Sequence, residues 1–280
     1  MYLVNGNAST TIDVADRGFQ YGDGLFETIE ILNRQVVFWE QHLQRLKIGC
    51  DRLFLPIPET KQLVSEINTI CTFAPATKPA VVKLIITRGL GGRGYRQPDV
   101  IEPTRVISLY PFPDYPDSYQ QHGVIARFCH TRLGLNPGLA GIKHLNRLEQ
   151  VLARAEWSDP SIQEGIMLDI NDHVIEATMS NVFYIKNNTL YTALLTQSGV
   201  VGVMRQIIIE LCKKQKLTVI EHCYTKADLL SADEVFLSNA IMGIWPIKQI
   251  EDSPFAVGPI TRKIQAWSAQ FKLAGIGFAT

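Results

Sequence analysis

Gly138-Leu-Ala-Gly-Ile-Lys-His-Leu-Asn-Arg, residues 138–147, places a lysine, Lys143, where a glycine-punctuated segment passes into a run with helical spacing. A lysine at such a junction can be held by rigid elements while its stem points into a cleft. Taken alone, the pattern fits a solvated surface lysine better. Downstream, Leu145, Leu148, Val151, Leu152 and Ala155 recur at three- and four-residue spacing, which predicts a helix with one apolar face. Upstream, residues 111–123 read PFPDYPDSYQQHG, with three prolines and neither a helical nor a strand period, as in a linker.

Before that linker, Glu27-Thr-Ile-Glu-Ile-Leu and Val36-Val-Phe-Trp flank the turn signal Asn33-Arg-Gln and predict a hairpin. Leu43, Leu46, Cys50 and Leu53 predict a helix, and a second spans about 59–72 before Pro75. Ala80-Val-Val-Lys-Leu-Ile-Ile-Thr and Arg105-Val-Ile-Ser-Leu-Tyr predict two further strands, separated by a loop containing Gly89, Gly91, Gly92 and Gly94. After the linker come a strand near 124–128, several more strands, a helix over about 202–215 and a last one near 260–271. The chain therefore divides into an α+β domain over 1–110, a linker over 111–123, and a second α+β domain over 124–280 that carries Lys143. The site is expected in the cleft between the domains.

Composition narrows the function. Lys plus Arg and Asp plus Glu each number 27 in the 280 residues, so no net field favours nucleic acid or an anionic membrane surface. A small-molecule partner is expected. Residues 1–20 lack a basic start followed by an apolar stretch, and no apolar run approaches the roughly 18 residues of a membrane helix. The five cysteines are widely spaced in apolar periodic segments, as reduced core thiols are, and no CxxC or HExxH string suggests a metal. A soluble cytoplasmic protein without a metal site is the expectation.

Four strings in order carry a resemblance: Asp16-Arg-Gly-Phe-Gln-Tyr-Gly-Asp-Gly-Leu-Phe-Glu-Thr, His42-Leu-Gln-Arg-Leu, Gly141-Ile-Lys-His-Leu-Asn-Arg-Leu-Glu-Gln and Glu176-Ala-Thr-Met-Ser-Asn-Val-Phe. Together they resemble the motifs of the class-IV pyridoxal-phosphate enzymes, which include branched-chain and D-amino-acid aminotransferases and aminodeoxychorismate lyases. The resemblance runs from about residue 3 to about residue 247. It implies a two-domain, D-amino-acid-aminotransferase-like (fold type IV) enzyme that binds pyridoxal 5′-phosphate and forms a homodimer.

By that resemblance Lys143 carries the cofactor as a Schiff base and then serves as the proton-transfer base, tasks that suit an amine of lowered pKa. Glu176 stands beside the pyridine nitrogen, where its charge keeps that nitrogen protonated. Arg45 clamps the cofactor phosphate with its planar fork of donors. Gly202-Val-Met-Arg resembles the phosphate-binding turn, so the N–H groups of Val203 and Met204 face the phosphate at a helix start. A third phosphate contact falls at Asn239 and Ala240, where the aminotransferases usually carry Gly-Thr.

Within the family, the branched-chain enzymes usually show a tyrosine after the lysine, where this chain reads His144-Leu-Asn-Arg-Leu. The loop Thr87-Arg-Gly-Leu-Gly-Gly-Arg-Gly-Tyr resembles the lyases and the D-amino-acid enzymes. Arg93 matches a carboxylate-binding arginine, and Tyr95 stands where the D-amino-acid enzymes have a histidine. Overall the likeness favours the aminodeoxychorismate lyases, which convert 4-amino-4-deoxychorismate to 4-aminobenzoate and pyruvate in folate synthesis through aldimine formation, proton abstraction and loss of the enolpyruvyl group. Substrate-binding candidates are then Arg93, Tyr95, Phe26, Thr28 and Arg147. The alternatives are a D-amino-acid or branched-chain-type aminotransferase, which would share the cofactor residues, and a catalytically silent scaffold that binds a partner.

Overall fold

The computed structural model describes residues 1–277, which form two units. Among them, residues 1–113, 142–146 and 272–277 make the first; 114–141 and 147–271 make the second.

The first unit holds β1 (Tyr2–Val4), β2 (Asn7–Ala8), α1 (Arg17–Tyr21), β3 (Gly24–Leu32), β4 (Gln35–Val36), α2 (Trp39–Arg52), α3 (Thr60–Cys71), β5 (Ala80–Thr87) and β6 (Thr104–Pro111). Its strands form one antiparallel sheet in the order β2-β1-β6-β5-β3-β4. The β3–β4 turn is the expected hairpin: Asn33 and Arg34 both have positive φ, the backbone twist of a two-residue turn that continues the strands.

Alternation along the strands gives the sheet two different faces. Leu25, Ile29 and Ile31 of β3, Val82, Leu84 and Ile86 of β5, Ile107 of β6 and Leu3 of β1 are all buried. Buried Leu43, Leu46 and Cys50 of α2 and Leu63, Ile67 and Ile70 of α3 supply the helical part of this core, as their three- and four-residue spacing predicts. Each such side chain contributes roughly 1.5–3 kcal/mol by leaving water.

The second unit holds α4 (Asp117–His122), β7 (Val124–Leu133), α5 (Leu148–Arg154), β8 (Glu164–Asp169), β9 (Val174–Ala177), β10 (Asn181–Lys186), β11 (Thr189–Ala193), α6 (Val203–Lys214), β12 (Val219–His222), α7 (Lys226–Leu230), β13 (Glu234–Asn239), β14 (Gly243–Ile250), β15 (Ser253–Pro254) and most of α8 (Pro259–Ala274). A mixed sheet runs β12-β11-β10-β13-β14-β7-β8-β9, with β15 on β14. Strand β8 is buried along its whole length, and Phe183 of β10 stacks on Phe236 of β13 at 4.9 Å.

Three features differ from the expectations drawn from sequence. The segment 111–123 contains α4, docked by Tyr119 and by Gln120, which donates to the Met242 carbonyl; Tyr119 packs edge-on to Trp245. The helix expected from Leu145 onward begins only at Leu148, because the residues before it are paired beside β3. Its apolar residues Leu148, Val151 and Leu152 are 75%, 60% and 60% exposed. Lys143 accordingly groups with the first unit rather than with the domain over 124–280.

One charged cluster breaks the apolar face between α2 and β3. Fully buried Glu27 receives Arg45 Nε at 2.8 Å, a second nitrogen of the same guanidinium, and His42 Nδ1 at 2.6 Å. Burial alone would raise the Glu27 carboxyl, but the Arg45 charge and the bonds from Arg45 and His42 bring it down to about 2. Burial lowers His42 despite its bond to Glu27. Both groups therefore take up protons more readily in the unfolded chain, so their contributions hold above the ordinary values and are lost on acidification. The His42 contribution should begin to fall below about pH 6.5 and that of Glu27 between 4.5 and about 2. Thermal melts at stepped pH should show Glu27→Gln with a shallower loss of midpoint below pH 4.5 than the parent. Parallel curves would show that the pairing is not carried by Glu27.

Candidate active site

Lys143 is positioned by strand pairing. Phe26 N donates to the Lys143 carbonyl and Leu145 N to the Gly24 carbonyl, both at 3.0 Å, and Leu25 faces His144 across the antiparallel bridge. This register puts Lys143 on the sheet face opposite the α2–α3 core, the face of Phe26 and Thr28. Its Nζ lies 4.3 Å from the centre of the Phe26 ring, a cation–π distance. Three of the expected residues, Lys143, Phe26 and Thr28, are thus on one face.

Arg45 is held on α2 by Glu27, whose carboxylate takes two of its N–H groups and fixes the plane of the fork. The neighbouring His42 Nε2 is buried and has no hydrogen-bond partner among the described residues. In the sequence Glu27 and His42 both fall within quoted motifs, but neither is given a part there. The place of Glu27 in the alternation shared by the apolar residues Leu25, Ile29 and Ile31 was the available signal.

The loop of Arg93 is organised from beneath. Buried Arg17 turns Nη1 toward the carbonyls of Gly91, Gly94 and Arg96, at 3.5, 3.1 and 3.3 Å, while its Nε donates to Asp23. Asp23 also receives two bonds from Arg88. Burial opposes ionisation of Asp23, yet the bonds from Arg88 and Arg17 hold its carboxyl below the usual value. Gly92 has a φ of +75°, and a Cβ there would meet the Arg96 carbonyl at 2.5 Å, so the turn requires glycine. With carbonyls turned inward, Arg93 and Tyr95 are exposed, and Tyr95 packs edge-on to Tyr21 at 5.7 Å.

In the second unit, Glu176 on β9 accepts Val200 N at 2.8 Å and Gln150 Nε2 at 3.3 Å. Asn181 binds the Val200 carbonyl from the other side, and Gly141 pairs with the same segment through Gly199 and Val201. These bonds fix the loop that leads into α6. No side chain caps α6 at Gly202, and a Cβ on that glycine would lie 2.1 Å from Asn181 Oδ1. Arg205 braces the first turn by donating to the Ala193 carbonyl and to Glu221. The amides of Val203 and Met204 thus open a braced helix without a side-chain cap, a geometry that attracts anions.

Asn239 plays a different part from a phosphate contact through its side chain. Its Oδ1 accepts the amides of Ile241 and Met242, each at 2.8 Å, and its Nδ2 donates to the Met179 carbonyl. It ties the turn containing Ala240 to the turn after Glu176. Beside it, Ser238 Oγ is buried without a partner among the described residues and sits opposite Asn181 in the ladder. Glu164, for which the sequence offers no motif, is the second tie: fully buried, it accepts Thr178 Oγ1, Ser180 Oγ and Met179 N. Burial raises its carboxyl, which these bonds oppose. Arg147 precedes α5; burial lowers its guanidinium, opposed by the charges of Glu176 and Glu149.

Known proteins share this arrangement of elements. The amino-transferase class IV family model matches residues 24–250. An aminodeoxychorismate lyase of Vibrio harveyi is 37% identical over 269 residues, covering 95% of this chain and 98% of the relative. A D-alanine aminotransferase of Bacillus licheniformis is 31% identical over 276 residues, covering 94% of each. The crystal structure of 4-amino-4-deoxychorismate lyase from Pseudomonas aeruginosa superposes with a TM-score of 0.92 at 42% identity, over 96% of this chain and 98% of that one. The chain, with its lysine strand beside β3 and its braced α6 turn, belongs to the class IV aminotransferase family.

Proposed function

We propose that this protein is a pyridoxal-phosphate enzyme that converts 4-amino-4-deoxychorismate to 4-aminobenzoate and pyruvate, in the synthesis of folate. The similarity to the Vibrio and Pseudomonas lyases over nearly their full lengths carries the reading.

The residues present fit the cofactor. A phosphate dianion suits the start of α6 at Val203 and Met204, which has no side-chain cap, and the neighbouring ladder offers the Ser238 hydroxyl, buried with no partner among the described residues; the family resemblance adds Arg45 as a cation. The turn at Asn239 and Ala240 is the third phosphate contact, with Asn239 shaping it. The bound cofactor supplies an electron sink for the pair left when a proton departs from the carbon bearing the substrate amine. Glu176 keeps a proton on the ring nitrogen, its own position fixed by Val200 and Gln150. Lys143 Nζ takes the proton from the substrate's amine-bearing carbon. Loss of the enolpyruvyl ether from the adjacent carbon then makes the ring aromatic, and Lys143 returns the proton to the departing enolpyruvate. Phe26 and Thr28 line the same face as Lys143, and Arg93, Tyr95 and Arg147 serve the substrate's two carboxylates and its ring.

Among the described residues no helix is long and apolar enough to cross a membrane, and the buried thiols of Cys50, Cys129 and Cys212 are pushed up to about 12 by burial. Inert thiols of this kind fit a reducing cytoplasm. The exposed Leu148, Val151 and Leu152 support a homodimer, since an apolar helix face gains by being covered by a second copy. Exposed Arg93 and Tyr95 are then offered to the neighbouring subunit.

Lys143→Ala should abolish 4-aminobenzoate release and the cofactor's visible absorbance together. A variant that keeps both would remove Lys143 from the mechanism. Appearance of a keto acid from D-alanine, without 4-aminobenzoate from aminodeoxychorismate, would mark the parent as an aminotransferase. Glu176→Gln should retain the cofactor while turnover drops at least about tenfold, the loss of about 1.4 kcal/mol of transition-state stabilisation; unchanged turnover would count against the ring-nitrogen role. Arg93→Ala should lower kcat/KM at least about thirtyfold with the cofactor spectrum intact, as expected for a stranded carboxylate. Subunit exchange between Arg93→Ala and Lys143→Ala should restore activity above either parent if the loop serves the partner. No restoration would place the loop in its own subunit's site.

A further inference from the structure

Glu30 stands on the face of β3 that carries Phe26 and Thr28, two residues beyond Thr28, and it is buried. Lys272, near the end of α8, grips its carboxylate at two points, with Nζ 2.7 Å from Oε1 and 2.6 Å from Oε2. Backbone pairing keeps that ammonium in place. Phe38 N donates to the Gly275 carbonyl, Gly277 N donates to the Val36 carbonyl, and Val37 faces Ile276 across an antiparallel bridge. Burial raises the Glu30 carboxyl, which the charge and bond of Lys272 oppose. Around Glu30, Val81 lies directly across on β5, Lys83 is one row along opposite Thr28, Lys143 sits beside Phe26, and Glu27 turns to the other face toward Arg45. Among the described residues Lys272 alone reaches ion-pair distance of Glu30.

An unpaired carboxylate repels an anion across a poorly solvated face far more than it would in water. The substrate of the lyase carries two carboxylates, so a bare acid on this face would work against its binding. Resting on the lyase reading above, we propose that Lys272 is a specificity-determining residue, which cancels the charge of Glu30 and so lets the face accept an anionic substrate. The pair acts as a neutral unit. The acid without its lysine would favour uncharged ligands, and the lysine without its acid would favour anions more strongly than the parent does. The stretch after α8 thereby takes part in substrate selection through charge, away from the reacting carbon.

The test uses the cofactor-loaded protein with two probes, the product 4-aminobenzoate and its uncharged analogue 4-aminobenzamide, titrated calorimetrically. The readout is the ratio of acid to amide affinity, in which changes common to both probes cancel. At neutral pH, Glu30→Gln should raise the ratio at least about threefold above the parent, because the Lys272 charge is left uncompensated. In Lys272→Met the ratio should fall at least about fivefold as the pH rises from about 5.5 to about 9, because Glu30 is neutral at the acid end and charged at the alkaline end. The variant carrying both substitutions should follow the parent at every pH. A clasp that only held the chain end would lower the melting midpoint and weaken both probes alike. A ratio that stays at the parent's value in Glu30→Gln or in Lys272→Met overturns the proposal, as does a loaded parent that binds neither probe; should Lys272→Met not fold, Glu30→Gln decides alone. If the ratio responds in both variants but the parent releases no 4-aminobenzoate from aminodeoxychorismate, the charge pair stands and the lyase reading falls. If the parent turns over aminodeoxychorismate while the ratio ignores both substitutions, the lyase reading stands and the role of the pair falls.

Discussion

Two backbone hydrogen bonds, from Phe26 to Lys143 and from Leu145 to Gly24, set the direction of the Lys143 side chain. Strand side chains alternate, so a slip of one residue would turn Lys143 to the face covered by α2 and α3. The same pleat sends Glu27 the other way, toward Arg45 and His42. A single strand therefore serves both functions, with Phe26 and Thr28 on one side and the anchor of the arginine fork on the other. The late start of α5 at Leu148 follows from this, since residues committed to pairing with β3 are not available to a helix.

The second unit uses carboxylates and amides as fasteners. Glu176 holds the segment ahead of α6 through Val200 while meeting Gln150, so its orientation and that of the turn opening α6 are set together. Glu164 holds the turn after Glu176, and Asn239 joins that turn to the next. Neutral partners surround Glu164, which is how a buried carboxylate is tolerated without a counter-charge. The position of Glu176 thus rests on Val200 and Gln150, and that of the turn after it on Glu164 and Asn239.

Much of this was legible in the sequence. The Asn33-Arg34 turn, the spacing of Leu43, Leu46 and Cys50, and the ordered motifs around Lys143 and Glu176 each reflect local rules or a family pattern, and they led to the right elements and family. The failures have physical causes. Leu148, Val151 and Leu152 have the spacing of a buried face, but periodicity reports that a face is apolar and says nothing of what covers it. Glu27 and Lys83 are charges within largely apolar strands, and only the register shows that one turns toward α2 and the other shares a face with Lys143. Glu164 is visible only through the turn that folds back onto it. The helix α4 within 117–122 has no apolar period because its contacts come from aromatic rings and a backbone carbonyl.

The Arg17 guanidinium gathers the carbonyls of Gly91, Gly94 and Arg96 under a loop whose side chains point outward. Shape and surface chemistry are thereby separated: the backbone path depends on Arg17, Asp23 and the glycines, while Arg93 and Tyr95 contribute little to holding it. A loop built this way can exchange its outward residues without refolding, because neither position carries the contacts that fix the turn. Divergence of substrate preference among proteins with this scaffold would then require only one or two codon changes at positions such as 93 and 95, with the supporting arginine inherited unchanged.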